Sequence, residues 1–393
     1  MIHTILSWIY RDIVRIIALL LLMTEMSCTP HQTSPELSLA AEQKPKKDQK
    51  FQESKELKPH EWAQLFHKAP TTKERQNLED ITKGPDNSVI SENLLEMARK
   101  HLALGNFAEA ESLYRQFLQK ESQHPDGQLE MAMALIQQQK HNESFQILEE
   151  IRRHIAQMPS ISKAYIFKYK YTLGLAYLMN NNEKKCRRIM TDLINQDKTF
   201  TPGYAVLGSA YYLNGKTEVA EFIVQRGMER GAEDPSLYNL MGLFQMKKRL
   251  LSEATFWFDK ALSLNQEFVP ALINKATLAF RQLQYKEAEA LLKQSIQIHP
   301  AIPESYIILG AVYMKQNRPE DARLLFEKVL RRNPQNTWAR YNMGLVTLFG
   351  FKKPFRALQY FEEAIQTTGF GEENIRWAAQ NFINNIKNSD FIR

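Results

Sequence analysis

The chain has 393 residues, a formal net charge of +7 from 51 basic and 44 acidic side chains, and an apolar share of 44%. That share is ordinary for a folded protein, and the length exceeds what one compact core serves, leaving separate domains or a repeat array. Two cysteines, Cys28 and Cys186, exclude a disulfide framework and a cysteine-built metal site. The basic excess is spread along the chain and reads as a soluble surface with a weak bias toward acidic partners or anionic membranes.

Residues 1–27 read as a targeting segment. Arg11 and Arg15 form a basic region ahead of the apolar run from Ile16 to Met23, which is far shorter than the roughly 20 residues a spanning helix needs. Ser27 precedes Cys28, and Thr29-Pro30 opens a polar stretch. This arrangement resembles a bacterial lipoprotein signal, in which the cysteine after a small residue is lipidated and becomes the mature N-terminus. Glu25 stands where that signal prefers leucine, so ordinary signal-peptidase cleavage and an uncleaved anchor stay open as alternatives.

Residues 28–57 are polar, rich in Gln, Glu, Lys, Ser and Pro, and read as a disordered tether. A flexible coil of about 30 residues spans about 30 Å on average. Residues 58–90 hold a predicted short helix with Trp62, Leu65 and Phe66 on one face, either a cap on the first repeat or a docking helix, and Gly84-Pro85-Asp86-Asn87 breaks the chain behind it.

Regular structure is expected from near Ser91. Ala98, Ala110 and Tyr114 begin a small, small, large pattern, with Gly105-Asn106 as a turn, and Ala132, Ser144 and Leu148 repeat it after Pro125. From Ala132 to Gly174 is 42 residues; the eight extra fall around 151–164, as an elongated helix or an inserted loop, the expected site of a bend or division. The period is then fixed at 34: Gly174, Gly208, Gly242, Ala276, Gly310 and Gly344. Twelve residues later stand Cys186, Ala220, Ala254, Ala288, Ala322 and, after a one-residue slip, Ala357; the bulky column Met190, Val224, Phe258, Leu292, Phe326 and Phe361 follows. Small residues let two helices cross closely, and the bulky column is expected to fill the space between neighbouring repeats. Residues 372–393 carry Ile375, Trp377, Ala378, Phe382, Ile383 and Ile386, expected as one apolar face of a C-terminal capping helix.

A 34-residue period with small, small and aromatic columns, and with Pro300 and Pro334 closing repeats, resembles the tetratricopeptide (TPR) motif. The resemblance implies an all-α superhelical solenoid of about eight helical hairpins, repeats 1–2 with the insertion in 91–166 and repeats 3–8 in 167–371. Helix A of each repeat would line a concave groove. Counting from the small column, the position four residues on is apolar throughout (Leu178, Tyr212, Met246, Phe280, Met314, Leu348), either as family packing or as a groove for an apolar segment. The next position gives a basic stripe, Lys247, Arg281 and Lys315, and Tyr171 lies three residues before the column. The best-known TPR peptide readers carry an asparagine one residue after the small column as part of a carboxylate clamp. Here Leu175, Ser209, Leu243, Thr277, Ala311 and Leu345 stand there, which argues against chaperone-tail binding.

Catalytic constellations are missing from the sequence. There is no His-Glu-x-x-His helix and no Gly-x-Ser-x-Gly elbow, the histidines form no i, i+4 pair, and Gly215-Lys216-Thr217 falls at a turn with Ala210 where a phosphate loop needs its first glycine. Basic and aromatic residues alternate from Lys163 to Tyr171, but a helix scatters them, against nucleic-acid stacking. The sequence therefore predicts no enzyme, no cofactor, no metal, no nucleic acid and no small-molecule substrate. It predicts a protein-binding scaffold, lipid-anchored through Cys28 with the solenoid in the periplasm, or exported if not lipidated. The architecture resembles bacterial envelope TPR lipoproteins: pilotins that help assemble type IV pilus secretins, or regulatory adaptors of peptidoglycan-hydrolase or protease complexes.

Overall fold

The computed structural model describes residues 87–388, apart from 104, 158–160, 232 and 370–371. The signal segment, Cys28, the tether and the stretch through residue 86 lie outside the described residues. Seventeen α-helices are described, forming eight antiparallel hairpins and one closing helix. The hairpins are α1 (Asn87–Ala103) with α2 (Phe107–Lys120), α3 (Pro125–Gln137) with α4 (His141–Gln157), α5 (Lys163–Met179) with α6 (Glu183–Gln196), and α7 (Thr201–Leu213) with α8 (Thr217–Met228). They continue as α9 (Pro235–Lys247) with α10 (Leu251–Leu264), α11 (Val269–Arg281) with α12 (Tyr285–Ile298), α13 (Pro303–Lys315) with α14 (Pro319–Arg332), and α15 (Thr337–Leu345) with α16 (Pro354–Thr367). The closing helix α17 is Glu373–Asn388.

Seven of these helices open with proline at their first or second position, where the missing N–H is not needed and the fixed φ already suits a helix. The hairpin turns share one device. The first helix of each pair ends on a residue in the left-handed region: Gly105, Gln139, Asn181, Gly215, Arg249, Leu283, Asn317 and Lys352. In the first turn the left-handed Gly105 N–H donates to Leu102 O (3.0 Å) and Asn106 N–H reaches back to His101 O (2.9 Å), closing two carbonyls the helix end leaves open. The same pair recurs at Asn181 and Asn182, at 3.0 and 2.8 Å, and at Gly215 and Lys216, both 3.0 Å.

Leu283 is the poorest fit to that role, with φ 63° and 69% of its surface exposed. Asparagine tolerates this region far better. Leu283→Asn is therefore expected to raise stability by about 0.5–1 kcal/mol, read as a higher melting temperature. A lower one would show that Leu283 contributes contacts worth more than its strain.

The close crossing places each glycine under the bulky residue of its own hairpin. A Cβ on Gly174 would meet Met190 Cε at 2.0 Å, on Gly208 Val224 Cγ2 at 2.6 Å, and on Gly242 Phe258 Cε1 at 2.4 Å; Gly310 with Phe326 and Gly344 with Phe361 repeat the pattern. The bulky column thus fills the crossing inside a hairpin, where the sequence had suggested the gap between repeats. The reason is register: sixteen residues on, across a tight turn, the second helix returns the side chain directly over the glycine.

Helices α7, α9, α11 and α13 each pack on the first helix of the next repeat, whereas successive second helices make no comparable contact. The first helices are therefore the inner layer and the second helices splay outward, which is what curves the array. The eight extra residues are absorbed as helix. Against α6 and α7, three lengthen α4, four lengthen the start of α5, and one lies in the connection. The apolar core runs through this stretch, joining Ile136, Leu148 and Ile151 to Tyr169 and Leu175. The one-residue slip near the end becomes a π-helical turn at Val346–Gly350, where Phe351 N–H bonds Val346 O at 3.0 Å and the extra residue is taken up without breaking the hairpin.

At the C-terminal end, α17 packs on α16 and α15. Phe382 stacks on Phe361 at 5.1 Å, and Ile375, Ala379, Ile383 and Ile386 are buried. Trp377, expected on the apolar face, is 54% exposed, since two residues from Ile375 is more than half a turn away.

Candidate protein-binding groove

The inner layer presents the residues singled out by spacing. Tyr171 and Leu178 on α5, Tyr212 on α7, Met246 on α9 and Leu348 in the π turn are buried; Phe280 and Arg281 on α11 and Met314 on α13 are half-buried; Lys247 and Lys315 are exposed. The apolar column is thus continuous with the interior along α5, α7 and α9 and opens only at α11 and α13. Lys247 is held in place: its ammonium donates to Thr217 Oγ1 at 2.8 Å and sits 4.6 Å from the Tyr212 ring centre.

Two buried asparagines lie in the same layer. Asn274 Nδ2 on α11 donates to Asn239 Oδ1 on α9 at 2.8 Å, both residues fully buried. Sequence reasoning passed over Asn274. Its signal was a polar residue at a position where the repeats before and after carry Leu240 and Ile308.

The other sequence candidates fall to structural roles. Gly215-Lys216-Thr217 is the α7–α8 turn, with Gly215 at φ 77°. Helix α5 scatters the basic–aromatic run: Lys168 is buried and pairs with Asp126 at 3.1 Å, while Lys170 pairs with Asp192 at 2.6 Å. Cys186 is fully buried on α6, and burial pushes its thiol up to about 12, leaving an inert side chain. Among the described residues no group of three or more His, Cys, Asp or Glu is placed to hold a metal ion.

One buried charge cluster escaped the sequence reading, which placed most carboxylates on solvent faces. Glu130 on α3 is fully buried; Arg99 on α1 grips both its oxygens, Nε to Oε2 at 3.0 Å and Nη2 to Oε1 at 3.0 Å, and Tyr114 Oη on α2 donates at 3.2 Å. Burial pushes the Glu130 carboxyl above its ordinary range, against the pull of Arg99. The cluster ties three helices of the first two hairpins together and faces away from the basic stripe's repeats.

Comparison with known proteins matches this geometry. A family model described as Tetratricopeptide repeat covers residues 101–164, and one described as Anaphase-promoting complex, cyclosome, subunit 3 covers residues 247–329. The chain is a tetratricopeptide repeat protein. Among curated relatives, the TPR protein is 27% identical over 120 residues to Protein O-mannosyl-transferase Tmtc3 of Drosophila melanogaster, a match spanning 30% of this chain and only 13% of that protein. It is 25% identical over 171 residues to the Type IV pilus assembly protein PilF of Pseudomonas aeruginosa, spanning 42% of this chain and 66% of PilF. Among solved structures, the APC/C hetero-tetramer Cut9–Hcn1 superposes with a TM-score of 0.52 at 15% identity, over 85% of this chain and 63% of that one, a likeness of fold alone.

Proposed function

We propose that this TPR protein is a non-catalytic scaffold of the bacterial envelope whose inner face binds apolar segments bearing acidic side chains, in the service of pilus or secretin assembly. The carrying observation is the open part of the inner face. Exposed Lys247 and Lys315, with half-buried Arg281 between them, form a basic row beside half-buried Phe280 and Met314. A basic row alongside an apolar row is the complement of an amphipathic segment with an acidic edge. Partial similarity to a pilus assembly protein favours the pilus setting over service to a cell-wall enzyme or protease. Cys28 supplies the lipid anchor, and the polar residues behind it give the array reach without fixing its orientation.

The test uses the full chain carrying a photo-crosslinking amino acid at Lys315 on the inner face or at exposed Phe256 on the outer face, in envelope fractions. Capture of one defined protein from position 315 and not from 256 is expected. A parallel Cys28→Ser chain is expected to leave the membrane fraction and to lose labelling by a fatty-acid analogue. Capture from 256 alone removes the groove, and unchanged membrane association removes the anchor.

A further inference from the structure

Helix α9 is buried without a gap from Ser236 to Met246. Eleven residues make three turns, so every direction around the helix is covered. Its packing partners among the described helices are α8 and α10 in the outer layer and α7 and α11 to either side. None of these lies on its inner side, yet the inner positions Ser236, Asn239, Leu243 and Met246 are no more than 1% exposed. The equivalent positions Ala205, Ser209 and Tyr212 on α7 are equally closed.

Helix α13 supplies the contrast. It has the same four kinds of neighbour, but its inner positions Glu304, Ile307, Ala311 and Met314 are all half-open. Array geometry alone therefore does not close the inner face. The cover over α7 and α9 also excludes water without pairing what it covers. Ser209 Oγ, Asn239 Nδ2 and Asn274 Oδ1 are buried and without hydrogen-bond partners, so the covering surface is apolar.

The chain holds one fitting segment outside the described residues. Trp62, Leu65 and Phe66, spaced i, i+3, i+4 between Pro59 and Pro70, make a short apolar stripe. From Phe66 to the start of α1 at Asn87 is 21 residues, a coil of about 25 Å that keeps the stripe at about millimolar effective concentration. The superhelix closes toward it as well. The α1–α2 turn abuts the sixth hairpin, where a Cβ on Gly105 would meet the His299 ring at 2.2 Å, so the N-terminal repeat lies beside the inner face of later repeats.

We infer that residues 58–84 dock through Trp62, Leu65 and Phe66 on the inner face across α7, α9 and α11, as an intramolecular occupant that a partner must displace. This rests on the reading of the inner face as the binding face. It regulates that face: the segment satisfies the apolar row and leaves the buried Ser209, Asn239 and Asn274 atoms unpaired. An incoming segment whose amides reach those atoms makes bonds that the resident segment does not, and so exchanges with it.

The test needs no partner, so its failure is distinct from failure of the scaffold reading. In full-length Cys28→Ser protein, Ser209→Cys provides one reporter thiol, Cys186 being buried and inert. Maleimide labelling at 209 is expected to be slow. Changing Trp62, Leu65 and Phe66 to Asp is expected to speed it at least about tenfold with the helical circular dichroism unchanged. Thr277→Cys on α11 serves as a second reporter should Ser209→Cys disturb packing. A benzophenone amino acid at Phe66 is expected to crosslink to α7, α9 or α11. Labelling indifferent to the triple change, or crosslinks confined to α1 and α2, overturns the inference; the latter result makes the segment a cap on the first repeat.

Discussion

Gly242→Leu is expected to cost about 3 kcal/mol or more, because the crossing of α9 and α10 has no room for a side chain. The Phe258 ring lies 2.4 Å from where a Cβ would sit, and the ring is itself fully buried. Neither can yield without separating the helices. The repeat that carries alanine in this column shows the alternative solution: Ala276 is paired with Leu292, a smaller partner than the phenylalanines over Gly242, Gly310 and Gly344. Gly242→Ala combined with Phe258→Leu is therefore expected to cost less than the sum of the two single changes. Since repeats contact only their neighbours, the loss belongs to α7–α12. Hydrogen exchange should quicken there first, while α1–α4 stay protected. An unchanged melting curve for Gly242→Leu would mean that the crossing lies elsewhere.

Glu130→Ala is the second large effect, expected at about 3–5 kcal/mol and confined to the first hairpins. The penalty comes less from lost attraction than from what remains. Arg99 would keep a largely buried guanidinium with no carboxylate, and Tyr114 Oη would lose its acceptor. Removing the whole cluster at once tests this. Arg99→Met, Tyr114→Phe and Glu130→Leu together should recover most of the stability lost by Glu130→Ala alone. If the triple change is as damaging as the single one, the cluster contributes through packing and not through its charges.

The hairpin array was legible because its cause is periodic. Five glycines and one alanine at a spacing of 34 mark the crossings, and the structure places a bulky partner over each glycine. The turns were legible only in part. Gly105 and Gly215 announce a left-handed residue, but the same conformation is held by Gln139, Arg249 and Lys352, whose side chains give no sign of it. The surrounding helices impose the turn and the residue accepts the strain. The slip before Ala357 was visible as a count, although nothing in Val346–Gly350 says that it is taken up as a π turn.

The groove was the least legible part. Spacing names which residues face inward but not how deep they sit, so Tyr212 and Met246 looked the same as Met314 and proved far more enclosed. The Arg99–Tyr114–Glu130 and Asn239–Asn274 clusters join residues 16 to 35 positions apart. No local pattern encodes them, since each depends on which neighbour the stacked helices bring alongside.

The basic row on the inner face is the feature on which the scaffold reading stands. The most direct measurement compares capture of the crosslinked partner by full-length chains carrying Lys247→Glu with Lys315→Glu, or Lys260→Glu with Lys328→Glu on exposed parts of the outer helices. Both pairs change the net charge equally, so long-range electrostatics is held constant. The inner pair is expected to reduce capture at least about tenfold and the outer pair to leave it unchanged. Equal losses from both pairs, or loss from the outer pair alone, would contradict the groove as the site of binding.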